Sequence, residues 1–421
     1  MISGHQPSGS LRRGLGLGDA VMIGLGAMIG AGVFAAFAPA ARAAGSGLLI
    51  ALLVAALIAY CNATSSARLA ARYPDSGGTY VYGRERLGPF WGHLAGWGFV
   101  VGKTASCAAM ALTVGLYLWP ERAHLIAVLA VVGLTVVNCL GIGKAAWLTR
   151  LIVAVVVLAI LAVVIIGWSS PAADPARLAL GGDAGQWGVL QAAGLLFFAF
   201  AGYARVATLG EEVRDPARIV PIAVPLALGL VLVLYAAAAT VLVVVLGPDL
   251  AGAAAPLADV VRRAGLPALA PAVGMVAGLS ALGSLLAMIL GVSRTALAMA
   301  RDRHLPPPLA AIHPRFAVPH RAILAVGLVV ALLAAVADLR AAIGFSSFAV
   351  LVYYAVANAS ALTLRADEGR PPRVIPVIGL IGCLVVAAAL PLESVVAGVA
   401  VLVVGMISYG VRALPRKREE S

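Results

Sequence analysis

Residues 24–32 read GLGAMIGAG, placing Gly24, Gly26, Gly30 and Gly32 inside an apolar run that spans residues 17–42. Each glycine in a helix interior costs about 1 kcal/mol relative to alanine, so this run is a poor recipe for an unbroken helix. It is nevertheless long enough to cross a bilayer, which takes about 20 apolar residues. A helix interrupted in lipid survives only where its freed N–H and C=O groups face protein or a water-filled cavity. Such a midpoint offers amides to a carboxylate and carbonyls to an ammonium. Close helix packing competes with this reading, because Gly26 and Gly30 have the four-residue spacing of small-residue interfaces. On this stretch alone the two readings stand level.

Outward from it the chain continues in the same character. Of its 421 residues, 62% are hydrophobic and 11% charged. A water-soluble domain keeps roughly a quarter of its residues charged, so aqueous folding is excluded. Spans are expected near residues 17–42, 46–70, 91–118, 123–142, 148–168, 187–208, 221–246, 269–298, 321–337, 342–363, 374–391 and 394–411. The first run is long for a signal peptide and is read as a retained helix. Residues 17–411 form one transmembrane domain between a tail at 1–16 and a tail at 412–421, both polar and expected to be disordered.

The net charge of +12 is topological and does not point to nucleic acid. Alternate loops carry most of the arginines, among them Arg68, Arg72, Arg84, Arg86, Arg301, Arg303, Arg365 and Arg370. The other loops hold Arg42, Arg122, Arg177, Arg262, Arg263 and Arg340. By the positive-inside rule both termini are cytoplasmic and the protein sits in the inner (plasma) membrane. Residues 71–90 mix glycine with aromatics and suit a short interfacial helix. Residues 300–320 are rich in proline and basic groups. Residues 247–268 suit a short helix capping the outer face. Cys61, Cys107, Cys139 and Cys383 fall in apolar runs and read as packing residues, with no disulfide or metal spacing.

Residues 194–221, GLLFFAFAGYARVATLGEEVRDPARIVP, repeat the theme in the sixth span. Gly202 lies near mid-membrane beside Phe198, Phe200 and Tyr203, and the segment ends in a charged elbow at Glu211, Glu212, Arg214, Asp215 and Arg218. Corresponding interruptions in two halves of a chain point to a transporter site.

These stretches resemble the amino acid–polyamine–organocation (APC) superfamily, in its bacterial amino acid permease branch. The resemblance is carried by GLGAMIGAGVF (residues 24–34), PDSGGTYVY (74–82), FFAFAGYARVATLGEEVRDPARIVP (197–221) and ARDRHLPPPLAAIHPRFAVP (300–319). It implies an all-α membrane fold of about twelve helices. Two inverted five-helix repeats, spans 1–5 and 6–10, would have discontinuous helices 1 and 6, with two further helices after them. It places a carboxylate on the amides of Gly30, Ala31 and Gly32. The ammonium falls on carbonyls near Met28, Phe198 and Ala201. Ile29, Ala199 and Gly202 complete the two breaks, and Phe198 and Tyr203 are gate residues. Ala31 stands where the family often has serine, which main-chain binding does not require. Val157 stands where some proton-coupled relatives carry a lysine, and Ala204, followed by Arg205, where several carry an acid.

Span three carries Lys103 near mid-membrane, one helical turn from Cys107. An ionisable residue at that depth marks a functional site by default, because a charge there is expensive unless paired or solvated. Lys103 is a candidate contact for an acidic substrate group, or a coupling group that replaces the amine missing at Val157. A structural lysine on backbone carbonyls is the alternative. Gly102, Lys103, Cys107, Ala199 and Tyr203 would then set the side-chain pocket, favouring neutral or acidic amino acids. Arg205 is expected to reach Glu211 or Glu212. Ser280 and Ser284 are candidate sodium ligands between spans one and eight, although small polar residues also serve packing.

The expected function is secondary active transport of an amino acid by alternating access. Proton-independent exchange, polyamine or organocation transport, and amino acid sensing without flux are the alternatives. An enzyme is disfavoured because His5, His93, His124, His304, His313 and His320 all lie in loops or near span ends. No cofactor is called for. The expected partners are the amino acid, the lipid bilayer and protons as a candidate coupling ion, in a monomer or weak homodimer.

Overall fold

The computed structural model describes residues 16–73, 77–141, 146–179, 185–203 and 213–419. Arg205, Glu211 and Glu212, with the expected pairing between them, lie outside the described residues, as does Ala204. The described chain is all-helical. In order, its α-helices are α1 (Leu17–Met28), α2 (Gly32–Ala35), α3 (Phe37–Ala44), α4 (Leu48–Arg72), α5 (Thr79–Leu87), α6 (Pro89–Leu118), α7 (Ala123–Cys139) and α8 (Ala146–Trp168). Then come α9 (Gln186–Phe200), α10 (Pro216–Leu246), α11 (Pro256–Arg263), α12 (Ala270–Arg301), α13 (His320–Val336), α14 (Leu339–Leu362), α15 (Val374–Ala389) and α16 (Leu392–Glu419).

Nine helical stretches among the described residues are long and apolar enough to cross a membrane, and α13 and α15 are shorter apolar helices. Together with α9 they fill the twelve positions set out above. Span one is α1 to α3, span six is α9 with the 3-10 turn Ala201–Tyr203, and α5 and α11 are the interfacial and capping helices. Both short helices fall where the sequence puts them. In α11, proline opens the helix, Asp259 lies in its first turn and Arg262 and Arg263 in its last, matching the helix dipole. The last helix differs from expectation. α16 runs to Glu419, through most of the stretch expected to be a disordered tail.

The packing has an internal symmetry. Spans 1 and 6, 2 and 7, 3 and 8, and 4 and 9 touch one another. Further contacts come in exchanged pairs: α1 with α10 and α9 with α4, α6 with α14 and α12 with α8, α8 with α10 and α14 with α4. Exchanging spans 1–5 with spans 6–10 therefore maps these contacts onto each other. Because each repeat has an odd number of spans, the second begins on the opposite face from the first. That is the arrangement of an inverted repeat.

α6 is the central span, packed against α7, α12 and α14. Leu129, Val132 and Val136 on α7 and Val399, Val404 and Ile407 on α16 are exposed, as expected of lipid-facing positions. Polar ties join loops of like kind. Arg72 and Arg86 meet Glu368, and Arg150 meets Asp19, on the arginine-rich face. Arg42 donates to the Ala251 carbonyl, and Arg177 to the carbonyls of Val244 and Val245, on the opposite face.

Candidate substrate site

α1 stops at Met28 and α2 starts at Gly32, so the break is confined to Ile29, Gly30 and Ala31. It is a tight unwinding. Ile29 (φ −68°, ψ −7°) and Ala31 (φ −74°, ψ −21°) stay close to helical values, and the ladder resumes when Phe34 N–H donates to the Ala31 carbonyl. A second bend at Ala36 separates α2 from α3. Pro39 explains it, since its ring has no N–H for the Ala35 carbonyl and crowds it. In span six α9 ends at Phe200 and tightens into the turn Ala201–Tyr203. The α-helix thus gives way at Gly202, where the sequence places the interruption of span six, and residues 204–208 of the expected span lie outside the described residues.

The glycines let the two breaks meet. A Cβ on Gly32 would lie 2.6 Å from Ala199 Cα, and one on Gly202 would lie 2.3 Å from the Ala27 carbonyl oxygen. A Cβ on Gly30 would overlap the Ser284 hydroxyl at 2.0 Å. Packing and interruption are therefore one feature here. The small residues that weaken each helix also bring the two broken main chains into contact.

Neighbouring spans cap the carbonyls at the breaks. Tyr235 of α10 places its hydroxyl 2.6 Å from the Met28 carbonyl and 3.1 Å from that of Ala199, so one group ties both broken helices. Ser280 Oγ of α12 lies 3.3 Å from the Ile29 and 3.4 Å from the Gly30 carbonyl oxygen, and Ser284 Oγ donates to Gly26 at 3.3 Å. Tyr117 donates to the Phe34 carbonyl at 3.1 Å. Lys103 Nζ of α6 donates to the Ala201 carbonyl at 3.3 Å. These side chains meet a general requirement, because buried carbonyls left unpaired in a membrane are costly.

The structure thus brings Met28, Ile29, Gly30, Ala31, Gly32, Ala199, Ala201, Gly202 and Lys103 to one place. Phe198 stands at its edge on α9. Phe197 packs on Tyr354 and Phe200 on Tyr235, whereas Phe198 makes no ring contact among the described residues and keeps 8% of its surface exposed. Cys107 is fully buried on α6. Two expected pocket residues point elsewhere in this arrangement. A Cβ on Gly102 would meet Ala349 of α14 at 2.7 Å, and the Tyr203 ring packs 5.1 Å from that of Tyr354. Beside Tyr354 lies a buried polar network in which Ser65 donates to Asn358, and Asn358 donates to Asn62.

Sequence reasoning missed Tyr235 and Tyr117. A signal for Tyr235 was present, since a tyrosine inside the apolar run LVLYAAAAT needs a partner for its hydroxyl once buried.

The family model for amino acid permeases matches residues 15–411. The chain belongs to the amino acid permease family. An uncharacterized transporter of Mycobacterium tuberculosis is 70% identical over 97% of this chain and 93% of its own length. The branched-chain amino acid permease of Bacillus subtilis is 26% identical over 97% of the chain and 95% of its own length. Cationic amino acid transporter 4 of Mus musculus is 29% identical over 86% of this chain and 61% of its own length. The names of the last two relatives state different substrate classes, branched-chain and cationic amino acids.

Proposed function

We propose that this permease moves an amino acid across the plasma membrane by alternating access, with both termini in the cytoplasm. The zwitterion is held largely by main-chain groups of the two broken helices. The observation that carries this reading is the contact of the breaks at Gly32–Ala199 and Gly202–Ala27. There the start of α2 offers amides to a carboxylate, and the ends of α1 and α9 offer carbonyls to an ammonium. Tyr235, Ser280, Ser284 and Lys103 hold those carbonyls while the site is closed. Phe198 is the gate nearest the break, and Tyr203 moves with it through the turn at Gly202.

A counterflow screen of the common amino acids in proteoliposomes, run with and without a pH gradient, tests this. Saturable counterflow of at least one amino acid is the expected result, and its response to the gradient reports proton coupling. Binding without flux would replace the reading with a sensor, and non-saturable flux with a channel.

A further inference from the structure

We infer that Lys103 is the fixed positive charge of the substrate pocket and selects an amino acid with a side-chain carboxylate. The inference rests on the site proposed above and adds the substrate class.

Lys103 lies at the midpoint of α6, the central span, and only 4% of its surface is exposed. Its hydrogen-bond acceptor is the Ala201 carbonyl at the end of the α9 break, 3.3 Å away. An ammonium has three donors, and one carbonyl engages one of them. The ion pairs among the described residues tie helix ends and loops at the two faces, and none includes Lys103. A buried cation held by a carbonyl dipole alone is poorly compensated, and an anion delivered beside it is strongly favoured.

The substrate's common end is electrically neutral, its carboxylate facing the amides at Gly32 and its ammonium the carbonyls at Met28 and Ala201. The side chain decides the charge of the loaded site. A carboxylate neutralises Lys103, an apolar side chain leaves its charge uncompensated, and a cationic one adds a second buried positive charge beside it. The location sharpens this point. Lys103 holds the Ala201 carbonyl, one of the acceptors expected for the substrate ammonium, so loading displaces Nζ from it. The freed Nζ then has the side-chain carboxylate as its new partner. An acidic substrate replaces the bond that it breaks, and a neutral one does not.

Radiolabelled glutamate, glutamine, leucine and lysine would be followed into proteoliposomes holding the wild-type chain, Lys103→Arg or Lys103→Met. The expected wild-type preference for glutamate over glutamine is about tenfold or more in kcat/KM. Lys103→Arg keeps the preference, and Lys103→Met removes it by losing glutamate uptake while retaining glutamine. The inference is overturned if the wild type prefers glutamine, leucine or lysine, or if Lys103→Met leaves the glutamate-to-glutamine ratio unchanged. Saturable wild-type transport that prefers leucine to glutamate would sink this inference alone and leave the transport reading standing. Absence of flux for any amino acid would remove the transport reading and this one with it. Should Lys103→Met fail to fold, the wild-type ratio and the arginine variant still decide.

Discussion

Gly18 and Gly202 differ in what an added methyl group would meet. At Gly18 there is nothing within 4 Å, whereas at Gly202 the methyl would press on the Ala27 carbonyl carbon and oxygen and on Met28 N, the last at 2.7 Å. Main chain cannot rotate away as a side chain can. Gly202→Ala is therefore expected to cost about 1–3 kcal/mol as overpacking, to lower the melting temperature and to abolish uptake. Gly18→Ala, in a helix with space around it, should gain about 0.5–1 kcal/mol through reduced chain entropy and leave uptake intact. Thermal unfolding in detergent and uptake assays on both variants test the contrast, and equal behaviour of the two would remove the close-contact role given to Gly202. The glycine pattern was legible because interruption and close packing both require glycine. Ser280 and Ser284 were legible as polar groups between spans one and eight, although as candidate sodium ligands and not as partners of the Ile29, Gly30 and Gly26 carbonyls. Tyr235 was not legible as a partner of the breaks. Which residue of α10 or α12 faces a break depends on the rotation of one helix against another, and neither helix encodes that alone.

At the scale of elements, α5 ties the arginine-rich face together. Thr79 N–H donates to the Tyr353 hydroxyl at 3.0 Å, Tyr80 donates to Asp302 at 2.5 Å, and Arg84 reaches the same carboxylate at 2.9 Å. Burial first, and then the Asp302 carboxylate, push the Tyr80 phenol above its usual range, so it remains a donor. The other end of α5 holds Arg86, which lies 2.6 Å from Glu368 in the loop between α14 and α15. That hydrogen bond first, then the Arg365 backbone N–H and later Arg72, hold the Glu368 carboxyl down at about 2, below its ordinary 4.5. A carboxyl whose pKa is depressed on folding adds stability above the unfolded pKa and loses it as pH falls through the folded one. Acid should therefore weaken this clamp progressively from pH 4.5 towards 2. Melting temperatures measured from pH 6 to 3 should fall less steeply for Glu368→Gln than for wild type, because glutamine has no carboxyl to titrate. A slope equal to that of the wild type would show that the clamp does not couple to folding. Composition foretold both short helices, because glycine and aromatics at 71–90 and proline and charge at 247–268 leave no stretch able to span lipid. Gly202 foretold the interruption that follows Phe200, whereas its close approach to Ala27 was not legible, because that depends on how two spans pack.

For the molecule as a whole, the contacts exchanged between spans 1–5 and 6–10 constrain the topology more than any single helix does. Arginine asymmetry gave the expected orientation and apolar runs gave the spans. The pairing of spans arises from contacts between residues far apart in sequence, so it came from the resemblance and then from the packing. One consequence concerns the two membrane faces. The 3-10 turn Pro267–Leu269 precedes span eight, and the 3-10 turn Ala366–Glu368 follows span ten. Three spans separate them, so they must lie on opposite faces if α12, α13 and α14 each cross the membrane. Ala268 and Ala366 are both exposed. The native thiols interfere little, as Cys61, Cys107 and Cys383 are buried and only Cys139 is partly accessible. In a Cys139→Ala background, a membrane-impermeant maleimide should label Ala268→Cys on intact cells and Ala366→Cys only after permeabilisation. Labelling of both from one side would falsify the span count between them, and reversed sidedness would overturn the orientation while leaving the inverted packing intact.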